Sequence, residues 1–203
     1  MFCVIECIMT KGEETRQFII EKSAALFNTK GIAATAMSDI MEATKLSKGS
    51  LYVHFENKDV LAGAVVDHNL EFVETKLMTA LGMQRTAKAK LFAYIDVLKD
   101  AVNSPLKGGC PMLNFGMEVD DTNYPIKGKV HAMIEKAGNT ISDVIKYGIK
   151  RGEFKTNLNA REFATMMLAM IEGGIMMSRV AGTNENIDVV AKQLKKSITH
   201  QTT

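Results

Sequence analysis

The chain has 203 residues, 46% hydrophobic and 24% charged, with a formal net charge of +2. That is long enough to bury a sizeable core and ordinary for a globular protein, but too nearly neutral to argue for nucleic acid by charge alone. Three prolines and many Ala, Met, Lys, Glu and Leu residues favour helices. The odd cysteine count argues against a disulfide framework and fits a reducing cytoplasm. No apolar run approaches the ~18 residues of a membrane span, so no membrane partner is expected.

Residues 1–9, MFCVIECIM, are apolar but lack the basic start and the length of a signal peptide. They read as a disordered or spurious extension ahead of Met9. Cys3 and Cys7 have no neighbouring ligand residues, and no metal is expected there. Residues 10–30 form a helix, with Glu13 and Glu14 in its first turn, Lys30 at its end and Gly31 as its stop. Ile19, Ile20, Ala24, Leu26 and Phe27 give it an apolar face. Thr35 is read as the N-cap of a short helix over 38–43, which turns Ile40 and Met41 inward. A turn over 44–47 leads to a two-turn helix over 48–55 that opens on Lys48, Gly49 and Ser50, small or cationic rather than apolar. This is the shape of a helix-turn-helix, whose second helix presents its N-terminal residues to base edges in the major groove. Lys45, Lys48 and Lys58 stand against Glu56 alone, so positive potential is focused on this stretch.

Asn57 caps a long helix over 58–81, a connecting rod to the remainder. Further helices are predicted over 88–103, from Pro111 with Cys110 at the N-cap, over 126–151, over 160–180 and over 187–198. The fold class is therefore all-α with about nine helices. A three-helix helix-turn-helix DNA-binding domain is expected over 10–57, and a helical ligand-binding and dimerisation domain over 58–203.

The motif from Leu46 through Phe55, ending Tyr52-Val53-His54-Phe55 and followed by Lys58 and Leu61, is specific. With Ile19, Ala24, Leu26, Phe27, Gly31, Thr35 and Ile40, it resembles the TetR family of bacterial transcriptional regulators. A weaker likeness runs from Gly109-Cys110-Pro111 to Glu118 and again at Arg151-Gly152-Glu153-Phe154, similar to a branch whose effectors are often small reactive or organic compounds. The resemblance implies a homodimeric repressor released from a near-palindromic double-stranded DNA operator by a small-molecule effector, with no enzymatic activity and no cofactor. The implied DNA contacts are Thr35, Ser47, Lys48, Gly49, Ser50, Tyr52, His54 and Lys58. Lys48, Gly49 and Ser50 would meet bases, with Lys48 best placed for a guanine or a phosphate. Thr35, Tyr52, His54 and Lys58 would anchor phosphates, while Leu51 and Phe55 belong to the core.

The Met-rich C-terminal part suits a pocket that repacks around varied ligands. Tyr94, Leu98, Cys110, Leu113, Met117, His131, Met167 and Met170 are expected to line it. Cys110 is read first as a small buried cysteine filling space; the competing reading, from its place at a helix N-cap near Lys107, is a stabilised thiolate for electrophile or oxidant sensing. Ile171, Gly174, Ile175, Val190 and Leu194 are expected at a dimer interface made by the last two helices. A competing reading is a helical small-molecule-binding or enzymatic protein that keeps the helix-turn-helix as a packing unit. The four histidines are scattered and no HExxH, G-x-S-x-G or P-loop occurs, so no catalytic residues are assigned.

Overall fold

A computed structural model describes residues 10–104 and 106–203; the expectations for residues 1–9, Cys3 and Cys7 included, lie outside the described residues. Among the described residues nine helices follow in order: α1 (Lys11–Lys30), α2 (Met37–Thr44), α3 (Lys48–His54), α4 (Lys58–Gly82), α5 (Ala87–Leu98), α6 (Pro111–Val119), α7 (Tyr124–Lys150), α8 (Ala160–Ala181) and α9 (Glu185–His200). Among the described residues the only β pairing is an isolated bridge between Phe154 and Thr202. The all-α expectation holds.

Local chemistry sets most helix starts. Thr10, Ser47, Asn57, Thr86, Asn123 and Asn159 each accept a first-turn amide through the side chain, satisfying a donor the helix leaves free. The start of α2 differs from expectation. Its N-cap is Ala36, and Thr35 instead turns inward, donating its hydroxyl to the Gly31 carbonyl at 2.6 Å. Helix α5 also stops at Leu98, short of the expected residue 103. The Asn184 side chain takes the amides of Ala101 and Val102, each at 3.1 Å, and draws the chain into a loop.

Helices α1 to α3 close around Ile19, Ile20, Phe27, Ile40, Leu51 and Phe55, all buried. Helix α4 runs from this head into the second layer, packing Leu61 and Val65 beneath α1, while Asn69 Nδ2 donates to the Ala24 carbonyl at 3.1 Å. Helix α7 packs against α4, α5, α6 and α8, and α8 packs against α9. At Gly148 a side chain would collide with Phe154 and Ala87, so α7 and α5 approach closely there. Contrary to the sequence expectation, α8 contains a window with the length and composition of a membrane span, of mean hydropathy 1.3. It packs as a core helix between α7 and α9, and 44% of that window is buried.

Candidate nucleic-acid interface and effector cavity

The two sides of α3 differ sharply. Leu51 and the following Phe55 are buried in the head, whereas Ser47, Lys48, Gly49, Tyr52 and Val53 face outward. The helix is held from its own start, since the Ser47 hydroxyl accepts the Ser50 amide at 3.2 Å. Nothing lies within 4 Å of the space a Gly49 side chain would fill, so a partner surface can approach the backbone there. The Lys48 ammonium rests 5.8 Å from the Tyr52 ring centroid, on the same face. Ser50 and His54 are half-buried on the flanks. Val53 is 80% exposed beside them.

Two expected phosphate anchors are corrected. Thr35 is fully buried, and its hydroxyl is committed to the Gly31 carbonyl. Lys58 directs its ammonium at the carbonyls of Ile32 (2.9 Å), Ala33 (3.3 Å) and Thr35 (3.1 Å). An ammonium has three N–H donors, so all are engaged inside the protein. Lys58 thus fastens the start of α4 to the loop between α1 and α2.

A cavity of about 550 Å³ opens between α6, α7 and α8. Of the residues named from sequence, Leu113, Met117 and His131 line it, together with Gly116, Val130, Ile134, Ala164 and Leu168. The other expected lining residues fall elsewhere. Tyr94 and Cys110 border a separate void of about 30 Å³, and Leu98 borders another of about 40 Å³. Met167 is fully buried in the core and Met170 is half-buried; neither lines the cavity, because α8 turns Ala164, Leu168 and Glu172 toward it instead. A broader depression near the end of α9 lies on the surface among Lys195, Lys196 and His200, without a three-helix wall.

Of the two readings of Cys110, the stabilised thiolate is the one its surroundings oppose. Cys110 is buried, and burial first, then the charge of Glu172, pushes its thiol well above the ordinary range. The amides of Leu113 and Met112 at the start of α6 pull the other way without prevailing. The first reading, a small buried cysteine, describes it better. Its S–H donates to Glu172 Oε1 at 3.2 Å. Glu172 is the functional candidate that sequence reading missed. Its signal was a single acid in the otherwise apolar run from Phe163 to Met177. Burial holds its carboxyl above the usual carboxylate range.

Helix α6 joins the cavity to the reading head. Met112, Leu113 and Gly116 face the cavity, while Glu118 and Asn114 reach α1 and the loop after it. Glu118 accepts the amides of Ile32 at 2.8 Å and Ala33 at 2.7 Å. Asn114 Nδ2 donates to the carbonyls of Asn28 and Gly108, each at 3.0 Å. Asn28 in turn donates to the carbonyls of Lys107 and Gly109. Gly108, at φ +108°, leaves no room for a side chain against Asn28.

The five expected interface residues lie on the inner side of α8 and α9. Ile171, Ile175 and Leu194 are buried within the chain, and a side chain at Gly174 would meet Ile187 and Val190, so these residues close the α8–α9 crossing. The outward stripe of α8 runs through Met166, Gly173, Met177 and Val180, and Val189 of α9 is also exposed. Val180 is 83% exposed, and nothing lies near Gly173.

Comparison with known proteins agrees with this architecture. The family model described as "Bacterial regulatory proteins, tetR family" matches residues 19–65, and "Tetracyclin repressor-like, C-terminal domain" matches residues 87–194. The chain is 38% identical to a TetR transcriptional regulator from Chloroflexus aurantiacus, with a TM-score of 0.91 over 96% of this chain and 98% of that one. A TetR-family regulator from Cytophaga hutchinsonii is 34% identical, with a TM-score of 0.90 over the same shares. The HTH-type transcriptional repressor DhaR of Mycobacterium sp. is 25% identical over 85% of this chain and 86% of its own length.

Proposed function

The chain belongs to the TetR family of bacterial transcriptional regulators, and on that premise we propose that it is a homodimeric repressor released from a near-palindromic operator by a small molecule. Membership makes it a ligand-responsive DNA-binding regulator in a family of regulators rather than enzymes. The observation that carries the proposal is the two-sided α3, buried at Leu51 and followed by buried Phe55, with small or cationic residues outward at its exposed start. Lys48 donates to a guanine edge or a phosphate, Gly49 admits close backbone approach, and Ser47 and Ser50 meet neighbouring polar groups. Tyr52 and His54 reach phosphates, and Val53 is placed for apolar contact with a thymine methyl.

The outward stripe of α8, with α9, pairs with its copy in a second chain. Two α3 helices then meet successive major grooves roughly 34–36 Å apart. An effector seated against α6 shifts Glu118 and Asn114, and with them the loop that Lys58 also holds. The reading heads leave register. A preference of a few kcal/mol for the displaced state suffices. In this scheme the reading unit spans residues 10–57, residues 58–203 carry effector and partner, and the protein works in the cytoplasm.

Titration of near-palindromic duplexes selected from a random pool, over a salt series, tests this. The expected result is a preferred site, bound about 10³-fold or more above random duplex, with log affinity falling linearly against log salt. Equal affinity for all duplexes overturns the repressor reading.

A further inference from the structure

The effector cavity shares a wall with the smaller of the two voids, which in turn adjoins the other. Met112 borders both the cavity and the void of about 30 Å³, and Cys110 borders that void and the one of about 40 Å³. Two buried polar atoms without a protein partner belong to this wall: Tyr94 Oη and Glu172 Oε2. Tyr94 is 2% exposed. Glu172 lines the cavity, while its carboxylate has only the weak Cys110 S–H as a donor, on Oε1. The charge of Glu172 also reaches Tyr94 and, after burial, helps keep that hydroxyl protonated.

A buried carboxylate oxygen with no donor is unfavourable, and a cation beside it relieves both the missing hydrogen bond and the missing charge. A neutral alcohol supplies only the first. The other charged groups around the cavity, Asp120, Glu135, Lys127 and Arg161, are exposed, carry both signs and are screened by solvent. Discrimination by charge therefore rests on Glu172. We propose that the effector is an apolar organic cation, a protonated amine on a hydrocarbon or aryl body, whose ammonium donates to Glu172 Oε2 and Tyr94 Oη while the body fills the cavity. This inference rests on the reading of that cavity as the effector site. It also joins recognition to release. Seating the ammonium displaces Met112, whose far side borders the void lined by Leu70 and Leu77 of α4, the helix fastened to the reading head by Lys58.

Isothermal titration of the full chain with phenylbutylammonium, phenylbutanol and phenylbutanoate tests this. The wild type is expected to prefer the ammonium by about tenfold or more over both analogues, a ratio that Glu172→Gln reduces to about threefold or less. Tyr94→Phe keeps the ring and should weaken ammonium binding by about 3- to 10-fold, which decides the matter if Glu172→Gln does not fold. Gly138 lines the cavity with open space before it, so Gly138→Trp fills the site and should abolish binding of all three. Equal wild-type affinities that vanish in Gly138→Trp overturn the cation but leave the cavity as the effector site. Binding unaffected by Gly138→Trp overturns the effector-site reading and the cation with it. No heat from the ammonium at ~5 mM overturns the proposal outright.

Discussion

Lys48 and Lys58 are ten positions apart and both carry a cation that the motif offers to DNA, yet their surroundings give them different work. Among the described residues Lys48 has no carbonyl partner, whereas Lys58 holds three carbonyls of the loop after α1. Lys48→Ala should weaken operator binding by about 1–3 kcal/mol and lower the salt slope by about one, with an unchanged melting curve. Lys58→Met should cost about 2 kcal/mol of stability, because three part-buried carbonyls lose a charged donor; chemical denaturation reads the difference. At Glu172 the effect depends on pH. Burial raises its folded-state affinity for a proton above that of the unfolded chain, whose value is near 4.5. Its stabilising share is therefore complete below about pH 4.5 and is lost as pH rises through the raised folded value. Glu172→Gln should melt about 2–4 °C above the wild type near pH 8, roughly 1 kcal/mol for a chain this size. The gap should close as pH falls through the raised folded value toward 4.5. A constant gap would mean the carboxylate is not penalised by burial.

Among elements, α6 is the shortest path between cavity and reading head. Its Met112 and Leu113 face the cavity, while Glu118 grips the Ile32 and Ala33 amides. Glu118→Gln keeps the shape but leaves one oxygen to accept, so one of the two hydrogen bonds loses its charge and the other is replaced by an NH2 facing a backbone N–H. The ratio of operator affinities without and with effector should fall by about tenfold, measured by fluorescence anisotropy; an unchanged ratio would assign the coupling to α4 alone. The adjacent glycines of α8 are a second test. A methyl at Gly174 would sit 2.9 Å from Ile187 and 3.1 Å from Val190, so Gly174→Ala should cost about 1–3 kcal/mol through overpacking. Gly173 faces open space, and Gly173→Ala should leave the chain as stable or up to about 1 kcal/mol more so, from helix propensity.

For the whole molecule, the exposed apolar stripe from Met166 to Val180 is the feature a single chain leaves uncovered. Met177→Glu with Val180→Glu places charge on that stripe without touching the core. Sedimentation should show a dimer for the wild type and a monomer for the double variant, and operator affinity should fall by about tenfold or more, since half a palindrome holds weakly. A dimer that survives both changes would move the interface elsewhere.

Much was legible from sequence because it is local. Caps such as Ser47 and Asn57, the stop at Gly31 and the apolar spacing of α1 are set by neighbours three or four positions away. So the nine helices and the reading helix, with Lys48 outward and Leu51 inward, followed from the residues themselves. What the tertiary structure decided depends on partners far along the chain. Helix α8 is apolar nearly all round, so periodicity does not say which side meets α9, and the inner Gly174 and the outer Gly173 look alike in sequence. Thr35 and Lys58 carry groups suited to phosphate, but folding brings backbone carbonyls to them first. Glu172 and Cys110, 62 positions apart, become one buried pair only when α8 packs beside the start of α6, and that burial reverses the titration the helix dipole alone would give.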